Sequence, residues 1–145
     1  MKNLILSLFT LALFGACNQK QAPSTEVVLD SAGNVVAAAD APVIKFEKDL
    51  YDFGVITEGE SVQYEFKFKN EGKTPLIISD ATATCGCTVP EYPTKPIKPG
   101  DGGIIKVVFN SQGKVGVQDK VVSITSNANP HLATVHVVGE VKVKK

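Results

Sequence analysis

Cys85 and Cys87 are the residues of this chain best suited to chemistry, and one glycine separates them. On an extended strand their side chains point to the same side, and Gly86 lets the backbone bend to bring the sulfurs closer. Three states are open. A disulfide would close a three-residue loop, a tight ring that is easily reduced and would be a candidate redox switch. Two thiolates could instead hold a soft metal such as Cu(I). In the third state, which we favour, the cysteines are inert or permanently paired and only pack where a strand ends.

The groups that would support redox or metal chemistry are sparse in the sequence. A redox thiolate needs a helix N-terminus or a nearby cation, but the pattern predicts no helix there and the nearest cations in sequence are Lys95 and Lys98. His131 and His136 are the only histidines that could complete a metal site. His131 follows a turn and His136 falls on the polar face of a strand, so we expect both to be solvated. We therefore predict no resident cofactor.

Other catalytic signatures are missing from the sequence. It contains no Gly-x-Ser-x-Gly, no His-Glu-x-x-His and no phosphate-cradling glycine loop. The paired carboxylates lie in loop-like stretches without an apolar pocket that would raise a pKa, so we interpret them as solvated surface: Asp49, Asp52, Glu58 and Glu60. The sequence thus predicts a protein that is not an enzyme.

The third cysteine, Cys17, follows a stretch typical of a lipoprotein signal. A lysine near the start, an apolar run over 4–14, and Gly15 and Ala16 precede it. The run is too short to span a bilayer, which takes about 20 residues. We predict a signal peptide over 1–16, a lipidated Cys17 with a flexible tether over 17–41, and one domain over 42–145. Ordinary cleavage beside a free cysteine and an uncleaved N-terminal anchor are the alternatives.

The composition excludes some partners, and the signal-like segment before Cys17 predicts the compartment. All 15 basic residues are lysine, they balance 15 acids, and there is no tryptophan. The guanidinium groups that favour phosphate and base edges are missing, so nucleic acid is not expected. Lack of tryptophan disfavours polysaccharide binding. We predict lipid anchoring to a membrane, with the domain facing the periplasm or otherwise outside the cytoplasmic membrane.

The fold class follows from short alternating and β-branched runs. Residues 61–69 alternate without error, so Val62, Tyr64, Phe66 and Phe68 are predicted to face one side of a half-buried antiparallel strand. Further strands are predicted by the runs at 43–46, 50–56, 75–79, 103–109, 120–125 and 133–143. The last run places Val135, Val137, Val141 and Val143 on one face, with Gly139 as a candidate bulge. About seven strands in a hundred residues indicate an immunoglobulin-like antiparallel β-sandwich. A small hairpin around Gly33 is also compatible with residues 27–36.

Three motifs in order resemble the bacterial family called domain of unknown function 1573, found in Bacteroidetes-type lipoproteins. They are Tyr-Asp-Phe-Gly-Val-Ile at 51–56 followed by Glu-Gly-Glu at 58–60, Cys-Gly-Cys-Thr-Val-Pro at 85–90, and Pro-Gly-Asp at 99–101 leading into 105–110. The resemblance covers residues 46–140. It implies an immunoglobulin-like sandwich similar to major sperm protein and Hydin-type domains, and it carries no established activity.

The loop 90–99 is a candidate recognition element because it holds four prolines in ten residues. Such a loop is pre-ordered, and Tyr92 and Ile97 would be its exposed contacts. The alternative, which we favour, is that the prolines protect a sheet edge and fill the turn. We predict a non-catalytic module that binds or scaffolds another envelope protein, with thiol redox or copper handling through Cys85 and Cys87 as the alternative. The oligomeric state is not predicted.

Overall fold

A computed structural model describes residues 27–29, 35–37 and 40–145. Strands β1 (Val27–Leu29) and β2 (Val35–Ala37) pair antiparallel, with Val28 opposite Val36. This confirms the hairpin pairing compatible with that sequence. The described residues contain no helix that is long and apolar enough to cross a bilayer.

Residues 40–145 form two packed β-sheets. Their strands are β3 (Ile44–Phe46), β4 (Leu50–Thr57), β5 (Ser61–Asn70), β6 (Ile78–Ala83), β7 (Thr88–Glu91), β8 (Gly102–Asn110), β9 (Gly116–Ser126) and β10 (Leu132–Lys142). The first sheet has the order β3-β5-β8-β7 and the second the order β4-β10-β9-β6. Neighbours are antiparallel except β4 and β10, which run parallel. The predicted immunoglobulin-like sandwich is confirmed.

The core lies between the sheets because alternate residues of the long strands face inward. On β5 and β8, Phe66 lies opposite Ile105 and Val62 opposite Phe109. The second sheet supplies the facing side chains, all buried: Val122, Ile124, Val135, Val137 and Val141. Each fully buried side chain of this size stabilises the fold by about 2 kcal/mol.

A bulge bends β4 where it pairs with β10. Val138 lies opposite Asp52 and Glu140 opposite Val55, so Phe53 and Gly54 together face the single residue Gly139. Gly54 has φ +72°, and its N–H donates to Oδ1 of Asp52 at 2.8 Å. The predicted irregularity at Gly139 is confirmed, although the extra residue belongs to β4.

Replacing Gly139 with alanine is expected to lower the free energy of unfolding by about 2 kcal/mol. Gly139 has φ +156°, a conformation that L side chains rarely adopt, and a Cβ there would overlap the ring of Phe53. Urea unfolding measures the loss. Gly86→Ala is the control, since a Cβ at Gly86 meets no atom within 4 Å and should change stability by less than about 0.5 kcal/mol. Equal losses in both variants would contradict the prediction.

Three details of the strands differ from the sequence-based predictions. Strand β7 was missed because it is four residues long and contains Pro90, which an edge strand tolerates. The run 75–79 is a strand only from Ile78 onward, and Leu76 instead forms an isolated bridge with Ile97. Val143 was predicted to face inward, but it follows the end of β10 and is 63% exposed.

Candidate functional site

Cys85 and Cys87 lie in the turn that connects the two sheets between β6 and β7. The two residues are joined by a disulfide, with Cα atoms 5.2 Å apart. The N–H of Thr88 donates to the carbonyl of Cys85 at 3.2 Å, which closes the turn around Gly86. Of the three states that the sequence left open, the structure has the disulfide.

The hydroxyl of Thr88 is the polar group closest to the two sulfurs among the described hydrogen-bond partners. Thr88 is buried, and its Oγ1 lies 3.6 Å from Sγ of Cys85 and 3.9 Å from Sγ of Cys87. Backbone bonds fix the position of the turn, because the N–H of Asn110 on β8 donates to the carbonyl of Cys87 at 2.9 Å. A buried hydroxyl is therefore held against both sulfurs.

The disulfide closes too short a loop to be an effective staple. The chain-entropy relation gives about 1.6 kcal/mol for a three-residue loop, roughly half of what a loop of about 15 residues gains. Burial of one core side chain, such as Phe109 on β8, stabilises the domain by at least as much. The contribution of this bond to stability is thus small.

An open groove begins at the disulfide and runs over the outer face of the first sheet. It is lined by Ser61, Gly86, Cys87, Val89, Val108, Asn110 and Gln112, and we call it the cysteine groove. Val89 is exposed and lies opposite Val108, so the two valines form an apolar floor. None of the lining residues carries a charge. The groove suits an uncharged ligand.

A second surface feature lies on the outer face of the other sheet. Val55, Val117 and Val138 line an open groove there, and we call these three residues the valine patch. Val117 is 86% and Val55 is 57% exposed. Both lie opposite Glu140, one on each side of β10. Among the described residues, the valine patch is an apolar surface exposed to solvent.

Acidic residues alternate with the valine patch. Val138 lies between Asp52 on β4 and Asp119 on β9, just as Glu140 lies between the other two valines. Asp119 Oδ1 is 3.0 Å from Nδ1 of His136, which lies on the same outer face. The bulge at Gly54 contributes to this alternation of acids and valines, because it adds one residue between Asp52 and Val55. Valines and carboxylates therefore form a mixed apolar and acidic surface.

The sequence did not identify the valine patch, although a signal was present. Val122 and Ile124 on β9 face inward, and Val117 is an odd number of positions from both, so the alternation already places it outside. In a β-branched run an exposed valine looks like a core valine, and only its position in the inward–outward alternation distinguishes them.

The predicted recognition loop buries one of the two side chains expected to be exposed and leaves the other partly exposed. Ile97 is 7% exposed and belongs to the core, where it exchanges two backbone hydrogen bonds with Leu76. The prediction was wrong for Ile97 because the loop folds back over the sandwich. Tyr92 is half-buried, and its hydroxyl donates to the carbonyl of Ser79 at 3.3 Å.

The remaining predicted site residues do not converge. His131 is exposed with Nδ1 3.3 Å from the carbonyl of Ser126, and His136 lies on the outer face as predicted. Within the part of the chain that the structure describes, no three His, Cys, Asp or Glu side chains cluster as metal ligands would. Cys17, the predicted signal peptide and most of the predicted tether lie outside the described residues.

Sheet order and strand pairing define an immunoglobulin-like sandwich domain. A sequence model of the family described as "Protein of unknown function (DUF1573)" matches residues 44–141, and the chain belongs to this family. No curated protein matches the chain.

Solved structures of other proteins share the fold. A protein of unknown function from Porphyromonas gingivalis W83 is 21% identical, with a TM-score of 0.63 over 72% of this chain. The match covers 49% of that protein, so this chain spans about half its length. The PapD-like domain 7 of human CEP192 is 10% identical, with a TM-score of 0.60. This match covers 98% of this chain and 100% of that chain. The VesB protease of Vibrio cholerae is 11% identical, with a TM-score of 0.56 and coverages of 70% and 32%. These likenesses show the fold alone.

Proposed function

We propose that this protein is a lipid-anchored protein of the cell envelope whose immunoglobulin-like domain binds another envelope protein through the valine patch. The observation that carries this proposal is the exposure of Val55 and Val117 on a sheet face that has no covering layer in the described residues. The signal-like sequence before Cys17 supports the compartment.

The valine patch supplies part of the free energy of binding a protein. Burying a fully exposed valine side chain is worth about 1.5 kcal/mol, so covering the exposed parts of Val55 and Val117 contributes roughly 2 kcal/mol, and further contacts of the partner must offset the cost of association. The binding is proposed to be non-catalytic because valine side chains carry no group that attacks a substrate or transfers a proton.

The acidic residues around the valine patch define the partner's chemistry. Asp52, Asp119 and Glu140 place negative charge around the valines, and no lysine lines that groove. A complementary partner presents apolar side chains flanked by lysine or arginine. Association with such a partner slows as salt rises, since the rim charges are exposed and screened.

Co-purification from detergent-solubilised membranes tests the proposal. Val117→Asp is expected to reduce recovery of a stoichiometric partner by about tenfold or more, because it loses apolar contact and adds a fourth acid next to Glu140. Ile104→Asp is the matched control, since Ile104 is an exposed apolar residue on the other sheet. Equal recovery by the wild-type protein and Val117→Asp would overturn the valine patch as the binding surface.

A further inference from the structure

We propose that the Cys85–Cys87 disulfide is a thiol–disulfide exchange site that accepts a pair of cysteine thiols on an uncharged, extended segment of another protein. This activity goes beyond the proposed binding function. The disulfide adjoins the outer face of the first sheet, and the valine patch lies on the outer face of the second. A substitution can therefore disable the disulfide or the valine patch while leaving the other one unchanged.

The disulfide lies in a partly exposed turn. Both cysteines are partly exposed, and Gly86 between them is exposed and has no side chain. Apart from its two neighbouring cysteines, a Cβ added at Gly86 would meet no atom within 4 Å, so no other described segment lies over the turn at this position. Thiol exchange requires that a thiolate reach one sulfur along the sulfur–sulfur axis, and exposed disulfides are the labile ones.

The fold does not depend on the bond that would be broken. On one side of the turn Ala83 pairs with Val122, and on the other Thr88 pairs with Phe109. The hydrogen bond from Asn110 to Cys87 is also independent of the sulfurs. Since the three-residue loop adds little chain entropy, opening it leaves both strands in place.

The surroundings of the two sulfurs differ, and the difference sets the direction of attack. Cys87 packs against the core on one side and lines the cysteine groove on the other, whereas Cys85 does not line it. The sulfur nearer to a segment seated in the groove is then that of Cys87, and the proposed attack is on this sulfur. The Cys85–Cys87 bond breaks, its electron pair passes to Sγ of Cys85, and the partner sulfur becomes bonded to Cys87. The Thr88 hydroxyl, 3.6 Å from Sγ of Cys85, donates to the thiolate that forms.

The second thiol of the partner completes the exchange. Its thiolate attacks the partner sulfur in the mixed disulfide, and Cys87 leaves as a thiolate. The two protons released by the partner's thiols are taken up by Cys85 and Cys87. The partner dithiol has then lost two electrons and become a disulfide, while this protein has gained them and become a dithiol.

The cysteine groove sets the preferred partner. Its floor of Val89 and Val108 follows two paired strands, so an extended segment can lie along it. Its polar lining residues are Ser61, Asn110 and Gln112, which offer hydroxyl and amide groups to a peptide backbone. With no charge in the lining, carboxylates on the segment would be desolvated without a counter-charge.

The test uses the full chain, purified without reductant in mild detergent, and three probe dithiols. Two are capped synthetic peptides with the same cysteine pair, one with uncharged flanks and one with aspartate flanks, and the third is dithiothreitol. The rate of protein dithiol formation is followed by alkylation and intact mass. The uncharged peptide is expected to react about tenfold faster than the acidic peptide. A one-cysteine version of the uncharged peptide is expected to form its mixed disulfide on Cys87.

Two sets of variants distinguish the effect of the cysteine groove on peptide binding from the effect of Thr88 on the departing Cys85 thiolate. Val89→Asp is expected to slow the uncharged peptide about tenfold and leave dithiothreitol unchanged, while Leu132→Asp, at an exposed apolar position on the other sheet and outside the valine patch, alters neither rate. Thr88→Val, close in shape, is expected to slow all three dithiols about tenfold, and Thr88→Ser to restore the rate. Circular dichroism checks that each variant is folded. If Thr88→Val does not fold, Val89→Asp still tests the proposal. Equal rates for both peptides, an adduct on Cys85, or no exchange at millimolar peptide would overturn the proposal.

Discussion

Replacing Asn70 with alanine is expected to lower the free energy of unfolding by about 3 kcal/mol. Asn70 is fully buried at the end of β5. Its Nδ2 donates to the carbonyls of Thr74 and Ile97 at 2.9 and 3.0 Å, and its Oδ1 accepts from the N–H groups of Gly72 and Val43 at 3.0 and 3.3 Å. One side chain thus joins three separate segments to the strand.

The size of the loss follows from the groups that alanine leaves behind. The bond to Ile97 is buried, so its carbonyl loses a partner where water does not reach, at a cost of about 1–3 kcal/mol. The other three bonds are partly buried, and water replaces them at a smaller cost. For a domain of about 100 residues the sum corresponds to a fall in Tm of about 15 °C.

Differential scanning calorimetry and urea unfolding measure the effect of Asn70→Ala. Asn110→Ala is the control, because Asn110 is exposed and its Oδ1 accepts one hydrogen bond, from the N–H of Gln112. We expect that control to lose less than about 1 kcal/mol. A loss below 1 kcal/mol for Asn70→Ala would show that water or a rearranged loop satisfies the four backbone groups.

Replacing Cys17 with serine is expected to abolish lipid attachment. The proposal of a lipid anchor rests on the apolar run and the small residues that precede this cysteine. Each buried CH₂ of an acyl chain contributes about 0.8 kcal/mol, so two or more chains hold a protein on a membrane without a spanning helix. The proposed lipid is attached through a thioether bond to the sulfur of Cys17. Serine has no sulfur to form this bond, so the whole attachment is lost.

Metabolic labelling with an alkyne fatty acid measures this attachment. Label is expected in the wild-type protein and in the double variant Cys85→Ser/Cys87→Ser, and no label in Cys17→Ser. Intact mass of the wild-type protein should show acyl groups on a chain that begins at residue 17. Undiminished label in Cys17→Ser would contradict the proposed anchor.

The strands were predictable because their signal is local. The alternation over residues 61–69 reports which side chains face the core, and the structure confirms it for Phe66 and Phe68. Pairing is not local. β4 lies parallel to β10, some eighty residues later in the chain, and alternation fixes the face of each strand without naming its neighbour.

The candidate sites were partly predictable for the same reason. The cysteine spacing alone allowed a disulfide, but the groove beside it depends on strands β5, β7 and β8 meeting. Ile97 was predicted to be exposed, and no sequence pattern singled out Asn70 as a buried residue. Both are buried because the loop that precedes β8 folds back onto the end of β5, a long-range contact that composition does not encode.

Photo-crosslinking in living cells tests the proposed binding through the valine patch most directly. A photoreactive residue is placed at Val117, at Val55, and at Ile104 on the opposite sheet as the matched exposed control. We predict one discrete adduct with the same envelope protein from positions 117 and 55 and none from position 104. The absence of an adduct from both patch positions, or the same adduct from position 104, would contradict it.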